Sequence, residues 1–462
     1  MRFLKDLIFG LTLGAFSSSA FAPVSLWIAP FASLFFLYKI LVKNTLISRI
    51  RISYFFGLGL LLVVQNWTGI YVGNLPYLAL VFMQAIFFLP LALVSKRSNL
   101  SNSVIFGCAL VLSELLMRTT PFTGFGWSRL SFTQVDSPLA SIYPLMGAAG
   151  VAFLLGFLVA LRKFSHLIIV SLFIIVANFL PTELNNLGKL EIALVQGGVP
   201  QLGLDFNSTP LAVYQKHYQV SRNKLTANMV DLVIWPENSV DIDLFKNPEI
   251  EAEISDLSDS LKAPILIGGI SRFSGELQNI SVFFNPKIER IYVKRYLTPF
   301  GEYIPMRSSF ERFSPYVDDV EDFSAGTKII SFEINNKSFQ TLICYEIIND
   351  TFRDELMENF LVVQTNNATF GDTAQLDQQL NIAKVRAIET GREIAYVSTT
   401  GVTSFIDTNG DLRSSLPKFE GGVLIDNINL YEGQTLVQKL KFYPEIAAML
   451  LLLLLFIRRV RS

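Results

Sequence analysis

TLICYEIIND, residues 341–350, is the stretch that decides how the second half of the chain is read. Thr341 to Ile343 is a short apolar run suited to a buried strand, and Cys344 stands where that run gives way to Tyr345 and Glu346. A cysteine that merely fills a core sits within such a run. One at its end is presented where the chain turns. The chain has 462 residues and only two cysteines, so the placement asks for a chemical explanation.

Two neighbouring stretches end in the same way. DLVIWPENS, residues 231–239, brings an apolar run to Trp235-Pro236 and then to Glu237; proline cannot extend a ladder, so the strand stops there. IYVKRYLTPFGEY, residues 291–303, places Lys294 after an apolar pair and Glu302 eight residues later. Taken singly, each residue has a plain structural reading: a solvated strand-end glutamate, a surface lysine, a cysteine acting as a small hydrophobe. Three coincident strand ends favour a site. A cysteine nucleophile needs a base, usually histidine. The chain has two histidines, His166 between apolar segments and His217 among Tyr214, Gln215 and Lys216, where a solvated ring is expected. The base is therefore expected to be a carboxylate or an amine.

Around these stretches, from Lys189 to about Gln434, short apolar runs alternate with amphipathic segments. Leu190 to Val195, Leu232 to Trp235, Pro264 to Ile270, Ile280 to Phe284, Ile329 to Ile334, Thr341 to Cys344, Leu361 to Gln364 and Ile394 to Ser398 read as strands, mostly buried on both faces. Pro210 to Met229, Asn247 to Lys262 and Asp377 to Gly391 have helical spacing, with Gly391 as a stop signal. The expectation is an α/β sandwich with one core. No glycine-rich phosphate loop or zinc-ligand spacing occurs, so neither cofactor nor metal is expected.

The first 188 residues are of another kind. They hold four of the chain's 39 acidic residues, Asp6, Glu114, Asp136 and Glu183, and their apolar runs suffice to cross a hydrocarbon core of about 30 Å. About seven spans are expected there: Leu4 to Phe21, Val24 to Val42, Tyr54 to Val72, Leu78 to Val94, Val104 to Met117, Ser137 to Leu161 and Phe164 to Leu180. An eighth, Pro444 to Ile457, follows near the end. This divides the chain into a membrane domain 1–188, an α/β domain 189–434, and a final helix with a basic tail 435–462. Arg2, Lys5, Lys39, Lys43, Arg49, Arg51, Lys96, Arg97, Arg162, Lys163, Arg458, Arg459 and Arg461 fall on one side of the spans, and Arg118, Arg129 and Lys189 on the other. By the positive-inside rule both termini are cytoplasmic and the α/β domain is extracytoplasmic. The alternative, Met1 to Ala22 as a cleaved signal peptide, removes the first of those anchors. Glu114, expensive in lipid, lies a turn from Arg118 and reads as their mutual pairing between helices, with an intramembrane functional role as the other reading. A net charge of −1 gives no reason to expect nucleic acid.

WPENS, KRYLTPFGEYIP and ICYE, in that order, resemble the Glu-Lys-Cys motifs of the carbon-nitrogen hydrolase (nitrilase) superfamily. With the spans, and with FAPVSLWIAPFASLFFLY, SELLMRTTPFTGFGWSRLSF, VQGGVPQ, NNATFGDT and QQLNIAKVRAIETGR, the whole chain resembles the bacterial apolipoprotein N-acyltransferase family. The resemblance implies a four-layer α-β-β-α sandwich beside a multi-span helical domain in the bacterial inner membrane. It implies Glu237 as base, Lys294 as the cation beside a developing oxyanion and Cys344 as nucleophile, with Glu302 and Glu346 as flanking carboxylates. Tyr345, next to the nucleophile, is placed to supply a backbone N–H to the oxyanion. The implied reaction moves an acyl chain from a phospholipid through a thioester to a diacylglyceryl-cysteine of a lipoprotein. Membrane-bound amidase activity with water as acceptor, or a silent scaffold, are the other readings. Thr369 stands where many relatives have tryptophan, leaving Phe370 as the aromatic of that loop. Phe300, Phe310 and Phe313, interleaved with Arg307 and Arg312, suit a membrane-facing arm for lipid.

Overall fold

The apolar first half folds as helices and the alternating second half as strands in the computed structural model, which describes residues 1–95, 100–177, 183–203, 205–273, 275–310 and 321–461. The chain divides into two units, Met1–Thr182 with Thr435–Ser462, and Glu183–Gln434.

The first unit consists of helices α1 (Arg2–Ser17), α2 (Ala29–Leu41), α3 (Leu46–Val64), α4 (Asn66–Val72), α5 (Asn74–Ala85), α6 (Leu100–Thr119), α7 (Tyr143–Ala160) and α8 (Phe164–Ala177), joined by the C-terminal helix Tyr443–Arg461. Helix is the form in which a segment satisfies its own backbone without water. Among the described residues, four stretches, Leu46–Val64, Asn74–Leu93, Leu100–Thr119 and Pro138–Ala160, are long and apolar enough to cross a membrane. Between α1 and α3 the contact is backbone to backbone. A side chain at Gly14 would strike the carbonyl of Phe56, and one at Gly59 the backbone of Leu11. Small residues permit that approach where no water drives helices together.

Glu114 and Arg118 of this unit are paired, though not with each other as their spacing suggests. Glu114 does not take Arg118; it is buried against Arg129 at 3.4 Å and accepts from the Ser131 backbone N–H at 2.8 Å. Arg118 instead reaches Glu445 on the C-terminal helix at 2.9 Å and lies over the Phe442 ring. An i,i+4 pair competes with tertiary partners, and here the tertiary partners offer more donors.

Among its described residues the second unit has thirteen strands in two sheets. One contains β1 (Asn185–Gln196), β2 (Leu232–Ile234), β3 (Val240–Asp243), β4 (Ile265–Phe273), β5 (Glu276–Phe284), β6 (Ile288–Val293) and β13 (Gly422–Glu432), in the order β13-β1-β2-β4-β5-β6 with β3 paired to β4. The other contains β7 (Ser331–Ile334), β8 (Lys337–Ile343), β9 (Phe360–Thr365), β10 (Ile394–Ser398), β11 (Thr403–Ile406) and β12 (Leu412–Leu416), in reverse order from β12 to β7. Strands β1, β2 and β4 are parallel, as are β8, β9 and β10. Alternation assigns the faces. Ile192, Leu194, Leu232 and Ile234 join Phe339, Ile343, Phe360 and Val362 in the core between the sheets. Ala193, Val195, Val233 and Ile265 face outward against α9 (Ala212–Lys224) and α10 (Pro248–Leu261). Helix α11 (Ala374–Thr390) packs on the second sheet at β10 and β11 and ends at Gly391 in the left-handed region. The layers run α-β-β-α. Both sheets are covered, which is why their strands read as unbroken apolar runs.

Strands β3, β6, β11, β12 and β13 fall outside the runs expected from sequence; β12 (Leu412–Leu416) is polar and half-exposed, and β11 is buried but only four residues long. The helix at Ala212–Lys224 is shorter than its spacing suggests, because Leu225 turns extended and buries in the core beside α9.

Candidate active site

Strands β2, β6, β8 and β9 end at one edge of the sandwich, and each end delivers one polar group. Beyond β2 the chain passes Trp235-Pro236 to Glu237, 5% exposed. Gly268 on β4 makes that turn possible, since a Cβ there would lie 2.5 Å from the Pro236 oxygen and 2.7 Å from the Glu237 Cα. Lys294 follows β6 and is 1% exposed. Cys344 follows β8, partly buried, with φ at 50°, and Asn238 beside Glu237 has φ at 54°. Left-handed backbone at non-glycine residues costs of order 1 kcal/mol each and concentrates at working sites.

Lys294 Nζ lies 2.8 Å from Glu302 Oε2 and 3.6 Å from Glu237 Oε1. Asn279 on β5 donates through Nδ2 to both carboxylates, at 2.8 Å to Glu237 and 2.9 Å to Glu302. Glu302 also accepts from the Thr298 backbone at 2.7 Å, and Glu237 from the Asn366 backbone at 2.7 Å. Cys344 Sγ receives Thr365 Oγ1 at 3.4 Å and Gln379 Nε2 at 3.5 Å. Gln364 fastens the two sheets beneath: its Nε2 donates to the Trp235 carbonyl at 2.6 Å, and its Oε1 accepts from Ser281 at 2.5 Å. Glu346, fully buried, accepts from the backbone of Ile343, Arg295 and Tyr296 and from the Tyr292 hydroxyl, at 2.8–3.1 Å. It thereby fixes the turn carrying Cys344 to the turn carrying Lys294. Arg386 of α11 holds the far side of the same turn through the carbonyls of Ile347 and Ile348, at 2.9 and 2.8 Å.

The two carboxylates beside Lys294 are electrostatically unlike. Burial raises the pKa of Glu237, and the Glu302 charge adds to the rise, against the Lys294 ammonium and the donors Asn279 and Asn366. Burial also acts on Glu302, but the closer ammonium and its hydrogen bonds outweigh it and hold that carboxyl below its usual range. Burial works to lower Lys294, and Glu302, Glu237 and Cys344 together keep it above its ordinary value, so it stays an ammonium. Burial, seconded by Glu237, pushes the Cys344 thiol up to about 12 in spite of Lys294. At rest the group is a thiol and not a thiolate, and its proton has to be taken in the reaction.

Tyr345 is buried beside Cys344, Phe300 is half-buried at φ 62°, and Phe370 is half-buried on the short turn Ala368–Phe370. Phe313 and the side chain of Phe310 lie outside the described residues. His217 departs from expectation: it is fully buried, with Nδ1 2.8 Å from the Val213 carbonyl, and burial lowers its pKa to about 4. The ring fills the space that Gly197 leaves open. Asn279, Gln364, Asn366 and Gln379 were not singled out from sequence. A polar residue inside an apolar run, as Asn279 in LQNISVFF, is a signal that could have marked it.

Comparison with known proteins follows the same division. Residues 13–161 match the model of the apolipoprotein N-acyltransferase N-terminal domain, and residues 191–436 match the carbon-nitrogen hydrolase model. The apolipoprotein N-acyltransferase of Shewanella oneidensis is 28% identical over 99% of this chain and 96% of its own length. That of Haemophilus influenzae is 29% identical over 99% and 95%, and that of Mycolicibacterium smegmatis 30% identical over 89% and 78%. Among solved structures, XC1258 from Xanthomonas campestris, a CN-hydrolase superfamily protein, aligns with a TM-score of 0.40 at 17% identity, covering 56% of this chain and 96% of that one. With the hydrolase model spanning more than half of the chain and full-length relatives on both sides of it, the chain belongs to the apolipoprotein N-acyltransferase family of the carbon-nitrogen hydrolases.

Proposed function

We propose that the protein moves an acyl chain from a membrane phospholipid, through a thioester on Cys344, to the α-amine of the diacylglyceryl-cysteine that begins a lipoprotein. The observation that carries this reading is one buried ammonium, Lys294, between two carboxylates of opposite bias, beside a protonated thiol. Environments that push two carboxylates apart divide the roles of counter-ion and base. Glu237 takes the thiol proton as Cys344 attacks the ester carbonyl. Lys294 and the Tyr345 backbone N–H stabilise the oxyanion, and loss of one such donor costs about 3 kcal/mol of barrier. Glu237 returns the proton to the departing glycerol oxygen, releasing a lysophospholipid. The amine then attacks the thioester, gives its proton to Glu237, and Cys344 leaves as the thiol. The kinetics are ping-pong.

The apolar helices suit such substrates, because drawing an acyl chain out of lipid costs about 0.8 kcal/mol per methylene. Phe300, Phe310, Phe313 and Phe370 are assigned to lipid contact. The chain is assigned to the bacterial inner membrane with both termini cytoplasmic and the α/β unit outside, on the distribution of Lys and Arg around the apolar segments. Incubation with a phospholipid labelled in its acyl chain should load the protein with a hydroxylamine-sensitive label, and a diacylated lipoprotein peptide should discharge it as a third acyl chain seen by mass spectrometry. Discharge only as free fatty acid would make it a hydrolase. Reporter fusions after Ser98 and Gly188 should report opposite compartments; the same compartment at both would overturn the topology.

A further inference from the structure

Asn279 occupies an unusual position for an asparagine. It lies inside β5, 3% exposed, with each Nδ2 hydrogen given to a different carboxylate, Glu237 at 2.8 Å and Glu302 at 2.9 Å. Its backbone carbonyl also accepts from the Lys294 N–H at 2.9 Å, so one residue touches all three charged groups or the chain that bears them. Two flanking carboxylates dictate the orientation of the amide, because the reverse flip would set its oxygen against both. As a result Oδ1 points away from them and is a buried acceptor with no hydrogen bond. Such an orphan is destabilising. An apolar residue of similar size would avoid it, so stability alone does not account for an asparagine here. The gain lies at the carboxylates.

We propose that Asn279 is a positioning residue that divides the labour of the two carboxylates, holding Glu302 as the counter-ion of Lys294 and leaving Glu237 as the group that exchanges the proton. The inference rests on the reading of Glu237 as the base. One donor to each carboxylate stabilises both ionised forms. Without it Glu302 keeps the Lys294 ammonium, whereas Glu237, farther from that ammonium, loses a donor to its ionised form and its proton affinity rises. The titratable groups facing Glu237 are Lys294, Glu302, Cys344 and Tyr396, and the Asn366 backbone N–H is its other neutral donor, at 2.7 Å on Oε2; that donor stays when Asn279 is replaced, so the loss at Oε1 is of a single hydrogen bond.

The test is the pH dependence of Cys344 alkylation by iodoacetamide in the full-length protein in detergent, read on the peptide containing Cys344. It compares wild type, Asn279→Leu and Glu237→Gln, each checked by thermal unfolding. The loss of the donors should move the acid limb of Asn279→Leu toward alkaline pH by about half a unit or more, the size expected for one lost hydrogen bond to an ionised group, while the high-pH rate is retained. A uniform loss at every pH, or no shift, would overturn the role of Asn279. Should Asn279→Leu not fold, Asn279→Ser is read in the same way, with a smaller shift of the same sign. A Glu237→Gln protein that keeps the wild-type limb would sink the reading of Glu237 as base. A limb that Glu237→Gln abolishes and Asn279→Leu leaves in place would sink only the role of Asn279.

Discussion

Buried cations are used differently in the helical unit and at the edge of the sandwich. In the helical unit two arginines each have their own carboxylate, Arg129 with Glu114 and Arg118 with Glu445. The cluster behind the Cys344 turn keeps to the same residue type, joining Arg353 and Arg386 to Asp350, Asp354 and Glu389. At the site the cation is a lysine, and two carboxylates share it. A guanidinium is always charged and saturates planar acceptors with a fork of donors; an ammonium is a point charge with three. Arginine therefore settles a charge, whereas one lysine between two acids leaves an acid unsettled. The carboxylate left with the longer contact, Glu237 at 3.6 Å, is the one free to exchange a proton.

The sharpest way to break that contrast is to remove the groups it sets apart. Cys344→Ala should reduce acyl loading from labelled phospholipid to background, and Glu237→Gln should slow loading by about 10²-fold or more with the fold intact. Equal labelling of Cys344→Ala would end the assignment of the nucleophile. In the helical unit the expected loss is of stability. Glu114→Leu strands Arg129 and should cost about 3–5 kcal/mol, seen as a fall in unfolding temperature in detergent, with much of it regained in Glu114→Leu/Arg129→Leu. Should the single variant melt like wild type, that pair would not be structural. Glu445→Gln, which leaves a neutral acceptor for Arg118, should cost less, about 1–2 kcal/mol by the same measurement.

The smallest expected effect is on stability against pH. Lys294 holds the folded pKa of Glu302 below its unfolded value, so its stabilising contribution is complete above an unfolded pKa of about 4.3 and is lost as pH falls through the folded value. Glu302→Gln should flatten the unfolding-temperature profile in that acid range. An unchanged profile would mean that Lys294 does not bind Glu302 more strongly once folded.

Groups at strand ends were legible in the sequence because an apolar run that stops announces its own end, and Glu237, Lys294 and Cys344 all stand there. The two-unit division was legible because acidic residues nearly vanish from the first half. Asn279 was not, since period-two alternation says which face a residue takes but not what waits on it. The partner of Arg118 was not either: Glu445 is 327 positions away, and local spacing offered Glu114 instead. His217 was misread for a related reason. Its polar neighbours describe one face of α9, and the ring is on the other.

The missing side chain at Gly268 has a practical consequence. The turn that presents Glu237 rests against β4 at a distance only hydrogen can occupy. A single methyl group there would push that turn outward without removing a donor, an acceptor or a charge. Displacement of a reacting group by about 1 Å can cost 10²-fold in rate. Gly268→Ala is thus a route to a protein with its thiol in place but slow to turn over, in which a covalent intermediate would last long enough to be weighed.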